Sequence, residues 1–261
     1  MELKIKGKVA IVTGASKGMG LAIAKAFIEE GVKVLLVARD EQLLIALINN
    51  FRATGADVDY LAGDVADLAL PGRVVEKAIS LWGSIDILIN NAGGPPPGSF
   101  LEHDLSAWES AIQTNLMSVV RFSKAVAPLM KEQNWGRIIS ITSTIAKEPS
   151  TLMVLSATTR SGVSAFTKAI SIELAPFNIT ANVICPGGVL TDRLSDLLKI
   201  RAEKENRDFE ELLAESQHTI PAQRFASPTE IANTILYLAS ESGSYITGVS
   251  LSVDGGLTKS F

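Results

Sequence analysis

A glycine-rich turn stands between the first predicted strand and the first predicted helix. It reads Thr13-Gly14-Ala15-Ser16-Lys17-Gly18-Met19-Gly20. Small residues in such a turn let the backbone approach a pyrophosphate closely, and the N-terminus of the next helix favours negative charge. The spacing is Gly-x-x-x-Gly-x-Gly, which departs from the better-known Gly-x-Gly-x-x-Gly pattern. The turn predicts phosphate binding, while a tight turn without a ligand remains the alternative.

The end of the second predicted strand indicates which dinucleotide such a site prefers. A site for NAD(H) usually has an acidic residue here that accepts the ribose 2′-hydroxyl. Ala38 occupies this position, and Arg39 and Lys17 supply cations nearby. A guanidinium binds phosphate strongly, so this pattern favours NADP(H) over NAD(H). The alternative is that Arg39 is only a solvated charge before the next helix.

Short apolar runs alternate with helical patterns along the chain. Strands are predicted at 8–13, 33–38, 57–61, 85–89, 137–142, 179–184 and 248–253. Helices are predicted after the glycine-rich turn and near 41–53, 71–82, 106–132, 151–175 and 228–240. This alternation predicts one doubly wound α/β (Rossmann) domain over 1–261, with a seven-stranded parallel sheet and helices on both faces. The charged segment 192–217 is interpreted as a helical lid inserted into that domain.

Composition excludes several classes of function. The net charge is −4 and no long basic run is present, which argues against a nucleic-acid partner. The single cysteine, Cys185, and the two histidines form no cluster with metal-ligand spacing, so no metal site is expected. No apolar run approaches the roughly 18 residues of a membrane span, and no signal-peptide pattern opens the chain. We expect a cytoplasmic protein with no membrane partner.

Further motifs follow the third, fourth and sixth predicted strands, and the carboxyl ends of such strands form the ligand edge of the sheet. They are Asp64-Val65, Asn90-Asn91-Ala92-Gly93 and Pro186-Gly187-Gly188-Val189-Leu190-Thr191. With the glycine-rich turn and the closing Val253-Asp254-Gly255-Gly256, the chain resembles the short-chain dehydrogenase/reductase family over its whole length.

The resemblance implies a nicotinamide dinucleotide lying across this edge. By analogy, Asp64 binds the adenine, Asn91 lies along the adenosine ribose, and Thr191 with the backbone near Val189 holds the carboxamide. The residues expected to bind the cofactor are Gly14, Ser16, Lys17, Gly18, Met19, Gly20, Arg39, Asp64, Val65, Asn91, Ala92, Gly93, Arg160, Pro186, Gly187, Val189 and Thr191.

The catalytic pattern of that family is only half present. Asn115 and Ser143 match its Asn and Ser, but Ser156 and Arg160 stand where the family has Tyr and Lys. The flanking sequence stays in register, so the substitution is genuine. The Ser/Arg pair, with Lys147-Glu148-Pro149 and the charged segment before Ile220-Pro221, resembles a branch of proteins similar to 3-oxoacyl-acyl-carrier-protein reductases.

The substitution changes the chemistry that is expected. Carbonyl reduction needs a proton on the incipient alkoxide, and an aliphatic hydroxyl such as that of Ser156 is a far weaker acid than a phenol. One hypothesis is an NADP(H)-dependent oxidoreductase acting on a small carbonyl or alcohol, with the proton arriving through Ser156, water or the substrate. The other is a dinucleotide- or ligand-binding protein with little or no turnover. Lys147 and Glu148 are candidate replacements for the missing acid, or only a solvated loop pair.

The resemblance also implies a homotetramer. In similar proteins the apolar helices predicted at 106–132 and 151–175 pack against a neighbour's copies across a two-fold axis.

Overall fold

The computed structural model describes residues 2–260 and contains one seven-stranded parallel sheet. The strands are β1 (Val9–Thr13), β2 (Lys33–Ala38), β3 (Val58–Ala62), β4 (Ile87–Asn90), β5 (Gly136–Ile141), β6 (Ile179–Pro186) and β7 (Ser250–Val253). Their order across the sheet is β3-β2-β1-β4-β5-β6-β7. The chain therefore reverses direction across the sheet between β1 and β4, where ligands bind in folds of this kind.

Nine α-helices lie within the described residues. They are α1 (Gly18–Glu29), α2 (Glu41–Ala53), α3 (Leu70–Trp82), α4 (Leu105–Ala111), α5 (Ser118–Glu132), α6 (Val154–Leu174), α7 (Asp192–Glu205), α8 (Phe209–His218) and α9 (Pro228–Ala239). Apolar side chains of α1, α2 and α9 share one core with the sheet, and α1 packs along α9. Side chains of α3, α5 and α6 form a second core on the opposite face. The predicted doubly wound fold is confirmed.

The central strands are buried because helices cover both faces of the sheet. Every residue of β1, β4, β5 and β6 is buried, as expected for parallel strands whose sequences are mostly apolar. The loops at the ligand edge therefore begin from well-packed strand ends.

Two helical predictions differ from the structure in detail. The predicted helix 106–132 is divided by a π-helical segment, Ile112–Met117, between α4 and α5. The charged segment 192–217 forms two helices, because Asn206 ends α7 in the left-handed conformation and Asp208 caps α8 with its carboxylate. Among residues 2–260, none of the helices is both long and apolar enough to cross a bilayer.

Candidate active site

The glycine-rich turn is packed directly against the loop that follows β4. A Cβ on Gly14 would lie 2.2 Å from the carbonyl oxygen of Asn91, and one on Gly20 would lie 2.1 Å from the carbonyl oxygen of Gly14. Gly14 also has φ +59°. The Asn91 Nδ2 donates hydrogen bonds to the carbonyls of Thr13 and Gly14, at 3.3 and 3.2 Å. Only glycine fits these close approaches, and Asn91 fixes the turn in place.

A groove of about 650 Å³ opens above this turn. This volume is typical of small-molecule and cofactor sites. Its lining residues come from the ends of β1, β2, β3 and β4 and from helices beyond them: Gly14, Ser16, Lys17, Ala38, Arg39, Asp40, Gly63, Asp64, Val65, Asn91, Ala92, Gly93, Gly94, Ser110, Thr114 and Arg193. The structure therefore brings nine of the predicted cofactor residues to one groove.

The groove lining includes two cations and two carboxylates, Asp40 and Asp64. Lys17 and Arg39 both line it, and the Arg39 side chain is 82% exposed. The Arg39 Nη1 lies 4.0 Å from the Asp64 Oδ2, a loose and solvated pair that contributes little to stability. Asp64 is also held by the backbone N–H of Ala66, which donates to its Oδ1 at 2.9 Å.

The remaining predicted cofactor residues stand behind the groove or beside it. Thr191 caps α7, and its Cγ2 lies 3.3 Å from the point where a Cβ on Gly18 would be. Val189 is buried in the core and forms a bridge with Ala226. Met19 packs against that same core, and the Gly187 N–H is bonded to the carbonyl of Val253. The side chains of Met19, Pro186 and Val189 carry no strong hydrogen-bonding group, so they could contact a ligand only by packing.

The predicted catalytic residues come from three elements that meet beyond Asn91. Ser143 precedes a short 3₁₀ turn after β5, and its Oγ accepts a hydrogen bond from the Ile145 N–H at 3.3 Å. Its own proton is therefore free to be donated. Asn115 lies in the π-helical segment between α4 and α5, and its Nδ2 donates to the carbonyl of Gly93 at 2.6 Å. Single-turn π segments of this kind occur frequently at functional sites.

Ser156 and Arg160 are joined by a hydrogen bond on α6. The Arg160 Nε donates to the Ser156 Oγ at 3.1 Å, and its Nη1 donates to the carbonyls of Thr142 and Ile141 at 2.7 and 3.2 Å. Burial, and next the charge of Arg193, lower the pKa of Arg160 to about 10. Arg160 therefore stays positively charged at neutral pH, held rigidly beside Ser143.

A small cavity separates Asn115 from Arg160. Both residues line it, together with Thr142 and with residues shared with the groove, Val65, Asn91 and Ala92. The Asn115 Oδ1 is buried here without a hydrogen-bond donor among the described residues. A buried acceptor of this kind is costly unless a water satisfies it, and the cavity has room for about one water.

Glu148, a candidate proton donor in the sequence, is hydrogen-bonded to the backbone of two later residues. Its Oε1 accepts hydrogen bonds from the backbone N–H groups of Ser260 and Lys259, at 2.7 and 2.6 Å. These bonds lower the pKa of Glu148 below its usual value, so the carboxyl carries no proton to donate at neutral pH.

Sequence reasoning missed Arg193, which the structure places in the groove wall. It stands in the first turn of α7, and its Nη2 donates to the carbonyls of Gly94 and Pro95 at 3.0 and 3.3 Å. The charged segment 192–217 was interpreted as a lid, but no side chain in it was assigned to the site. The signal available in the sequence was the position of Arg193 two residues after Thr191.

Comparison with known proteins agrees with this geometry. The pattern of the short chain dehydrogenase family matches residues 8–201. The 3-oxoacyl-[acyl-carrier-protein] reductase FabG of Aquifex aeolicus is 34% identical, with the alignment covering 98% of this chain and 100% of that protein.

Two solved structures are also similar to this chain over nearly its whole length. L-sorbose reductase from Gluconobacter frateurii, complexed with NADPH and L-sorbose, is 33% identical with TM-score 0.95, covering 100% of both chains. A variant of the actinorhodin polyketide ketoreductase with NADPH is 32% identical with TM-score 0.93, covering 97% of this chain and 98% of that one. The match of residues 8–201, on a parallel sheet whose glycine-rich turn faces an open groove, establishes that the chain belongs to the short-chain dehydrogenase family.

Proposed function

We propose that this chain is an NADP(H)-dependent oxidoreductase that interconverts a small carbonyl compound and its alcohol, similar to the 3-oxoacyl-acyl-carrier-protein reductases, with an atypical active site. The observation that carries the proposal is the continuity of the site. A groove that starts at Lys17 and Arg39 shares its wall with the cavity between Asn115 and Arg160. The NADPH complexes of the similar reductases support the same cofactor.

The residues present fit a dinucleotide. The turn at Gly14, Gly18 and Gly20 keeps side chains away from the backbone N–H groups at the start of α1, where a diphosphate would be held. Asp64 and Asn91 would hold the adenosine part, and Thr191 with the backbone near Val189 would hold the carboxamide. Because Ala38 offers no carboxylate to a 2′-hydroxyl, while Lys17 and Arg39 line that end, NADP(H) is favoured over NAD(H).

Replacing Arg39 is expected to narrow this preference. In Arg39→Ala, the affinity difference between NADPH and NADH should fall by about 1–3 kcal/mol, the size of a hydrogen bond to a charged group. Fluorescence titration of both cofactors measures it, and the NADH affinity serves as the internal control. Equal affinities of the parent protein for NADPH and NADH would contradict the proposed preference for NADP(H).

The side chains around Ser143 define the proposed chemistry. When bound, NADPH supplies a hydride to the carbonyl carbon. The carbonyl oxygen accepts a hydrogen bond from the Ser143 hydroxyl and must also take up a proton to give the alcohol. Ser156 already accepts a bond from Arg160, which polarises its hydroxyl but leaves a weak acid. A second proton route is through water, because the small cavity lined by Asn115, Thr142 and Arg160 has room for about one water molecule.

The alternative is a binding protein of the same fold with little turnover. The fixing of Arg160 by two carbonyls and by Ser156 favours it, because a rigid, charged guanidinium does not pass a proton and Ser156 is only a weak acid. An NADPH titration beside a turnover screen over many carbonyl compounds separates the two functions. Tight binding without turnover supports the binding protein, and turnover of any carbonyl supports the enzyme.

Helices α7 and α8 are proposed to act as the lid of the site. They share a small core that is separate from the two main cores and includes Leu198, Ala202 and Leu212. Such a hairpin can move as one unit, and Arg193 in its first turn already contacts the loop across the groove.

We also expect a homotetramer. Apolar side chains remain exposed on the helices predicted to meet a neighbour, among them Ile112 at 36% and Ile172 at 69%. Light scattering at micromolar concentration should give a mass near four times 27.8 kDa, and a monomeric mass would refute the expectation.

A further inference from the structure

Two arginines face each other across Gly94 at the Ser143 side of the groove. The Nη2 atoms of Arg193 and Arg160 lie 2.9 and 3.3 Å from the point that a Cβ on Gly94 would occupy. The two Nη2 atoms are therefore at most about 6 Å apart. The missing side chain of Gly94 leaves open the space that both guanidinium groups border.

No carboxylate in residues 2–260 lies within ion-pair distance of either arginine. Their acceptors are neutral, namely backbone carbonyls and the Ser156 hydroxyl. Two like charges this close repel each other, and burial strengthens the repulsion. An anion placed between them would remove the repulsion and accept charge-assisted hydrogen bonds from both.

Arg160 is prepared for such a role. Three bonds from its Nε and Nη1 fix the guanidinium plane, while its Nη2 donates to no acceptor in the described part of the chain and keeps some exposed surface. The Nη2 carries two N–H groups, so it can bind a cofactor ribose hydroxyl and an anion together. A donor fixed in advance loses little entropy on binding.

The geometry points to a carboxylate-binding site formed by Arg193 and Arg160, and hence to an oxo acid as the carbonyl substrate. The inference rests on the proposed function. Arg160 is bonded to the carbonyl of Thr142, the residue before Ser143, so the anion would lie beside the carbonyl that Ser143 binds. The cofactor diphosphate has its own cradle at the start of α1. The substrate carboxylate keeps its charge, while the carbonyl carbon gains a hydride from NADPH and the carbonyl oxygen gains a proton.

The test compares acids with their esters. NADPH oxidation is measured with 2-, 3- and 4-oxo acids, each beside its methyl ester, for the parent chain, Arg193→Met and Arg201→Met. Arg201 is a matched control because it lies on the same helix and pairs with Glu205 at the surface. We expect an acid to be preferred over its ester. Arg193→Met should lower kcat/KM for that acid by about 10- to 100-fold and lower it much less for the ester, which has no carboxylate to pair, while Arg201→Met should change neither.

A second variant tests the space between the arginines without removing either charge. Gly94→Ala keeps both arginines but puts a methyl group 2.9 Å from the Arg193 Nη2, where the anion would lie, at a residue without a left-handed φ. Because Gly94 also lines the groove, kcat/KM should fall for both compounds, and more for the acid than for the ester. Equal use of acids and esters, or an acid preference that survives Arg193→Met, would overturn the inference. A rise in the NADPH Kd of Arg193→Met with unchanged acid preference would assign the site to the cofactor diphosphate instead.

Binding measurements keep the inference testable if the chain has no turnover. Calorimetric titration of the NADP⁺-saturated protein with a hydroxy acid and its methyl ester should show binding of the acid alone, lost in Arg193→Met. Absence of turnover with this binding pattern would reject only the catalytic proposal. Absence of selective acid binding would reject the carboxylate site.

Discussion

The double variant Ser156→Tyr, Arg160→Lys is expected to reduce ketones at least about 10²-fold faster than the parent chain, within the range of general acid catalysis. A phenol is a much stronger acid than a serine hydroxyl, with a pKa near 10, and the lysine ammonium lowers that value further. The structure explains why both changes are needed. Arg160 binds the Ser156 hydroxyl directly, so a tyrosine alone would meet the guanidinium, and a lysine alone would have no phenol to act on.

Each single variant should therefore lower the activation free energy by less than half as much as the double variant. The effects of the two changes on that free energy are then not additive. The main risk is space, because Ser156 is only 3% exposed and its neighbour Leu155 is fully buried. Overpacking costs about 1–3 kcal/mol. NADPH oxidation with ketones and 3-oxoacyl thioesters measures the gain, beside the NADPH Kd and Tm. A folded, NADPH-binding double variant as inactive as its parent would show that more than the acid is missing.

Gly14→Ala is expected to abolish most cofactor binding and to destabilise the fold. The new methyl group would lie 2.2 Å from the carbonyl oxygen of Asn91, on a backbone with φ +59°. The left-handed conformation costs about 1–2 kcal/mol for alanine, and relieving the clash by moving the backbone costs about 1–3 kcal/mol more. Losing one or two backbone N–H bonds to the charged diphosphate, each worth about 1.5–3 kcal/mol, lowers NADPH affinity by about 10²-fold.

Gly55→Ala is the matched control. Gly55 also has a left-handed φ, +83°, but nothing lies within 4 Å of a Cβ there. Gly55→Ala should lower the free energy of unfolding only by the cost of the left-handed backbone, and it should leave the NADPH affinity unchanged. Thermal unfolding and NADPH titration of both variants separate strain from contact, and similar behaviour of the two would contradict the packing argument.

Much of the fold could be predicted because its signals are local. Apolar runs bounded by turns located all seven strands within a few residues. The division of 192–217 was missed although Asn206 and Asp208 are typical helix-ending and helix-starting residues. The π segment at Ile112–Met117 could not be read from periodicity, since one wider turn barely alters the apolar pattern.

The candidate site was only partly predictable. The spacing of Ser156 and Arg160 placed both on one face of a helix, and the structure joins them by a hydrogen bond. The direction of the Arg160 guanidinium depends on carbonyls of β5 and the turn after it, which no helix pattern contains. Arg193 was missed because its partners, Gly94 and Pro95, follow a different strand, and only the sheet topology brings the two loops together.

The packing of α1 against α9 also matters during synthesis. The side of α1 that packs on α9 stays uncovered until Pro228–Ala239 has left the ribosome. At about 5–20 residues per second this takes on the order of ten seconds or more, which is long compared with hydrophobic collapse. The nascent chain therefore presents an apolar surface to chaperones for much of its synthesis, whereas the dinucleotide turn at the start of α1 needs only the chain up to Asn91, which fixes it by hydrogen bonds.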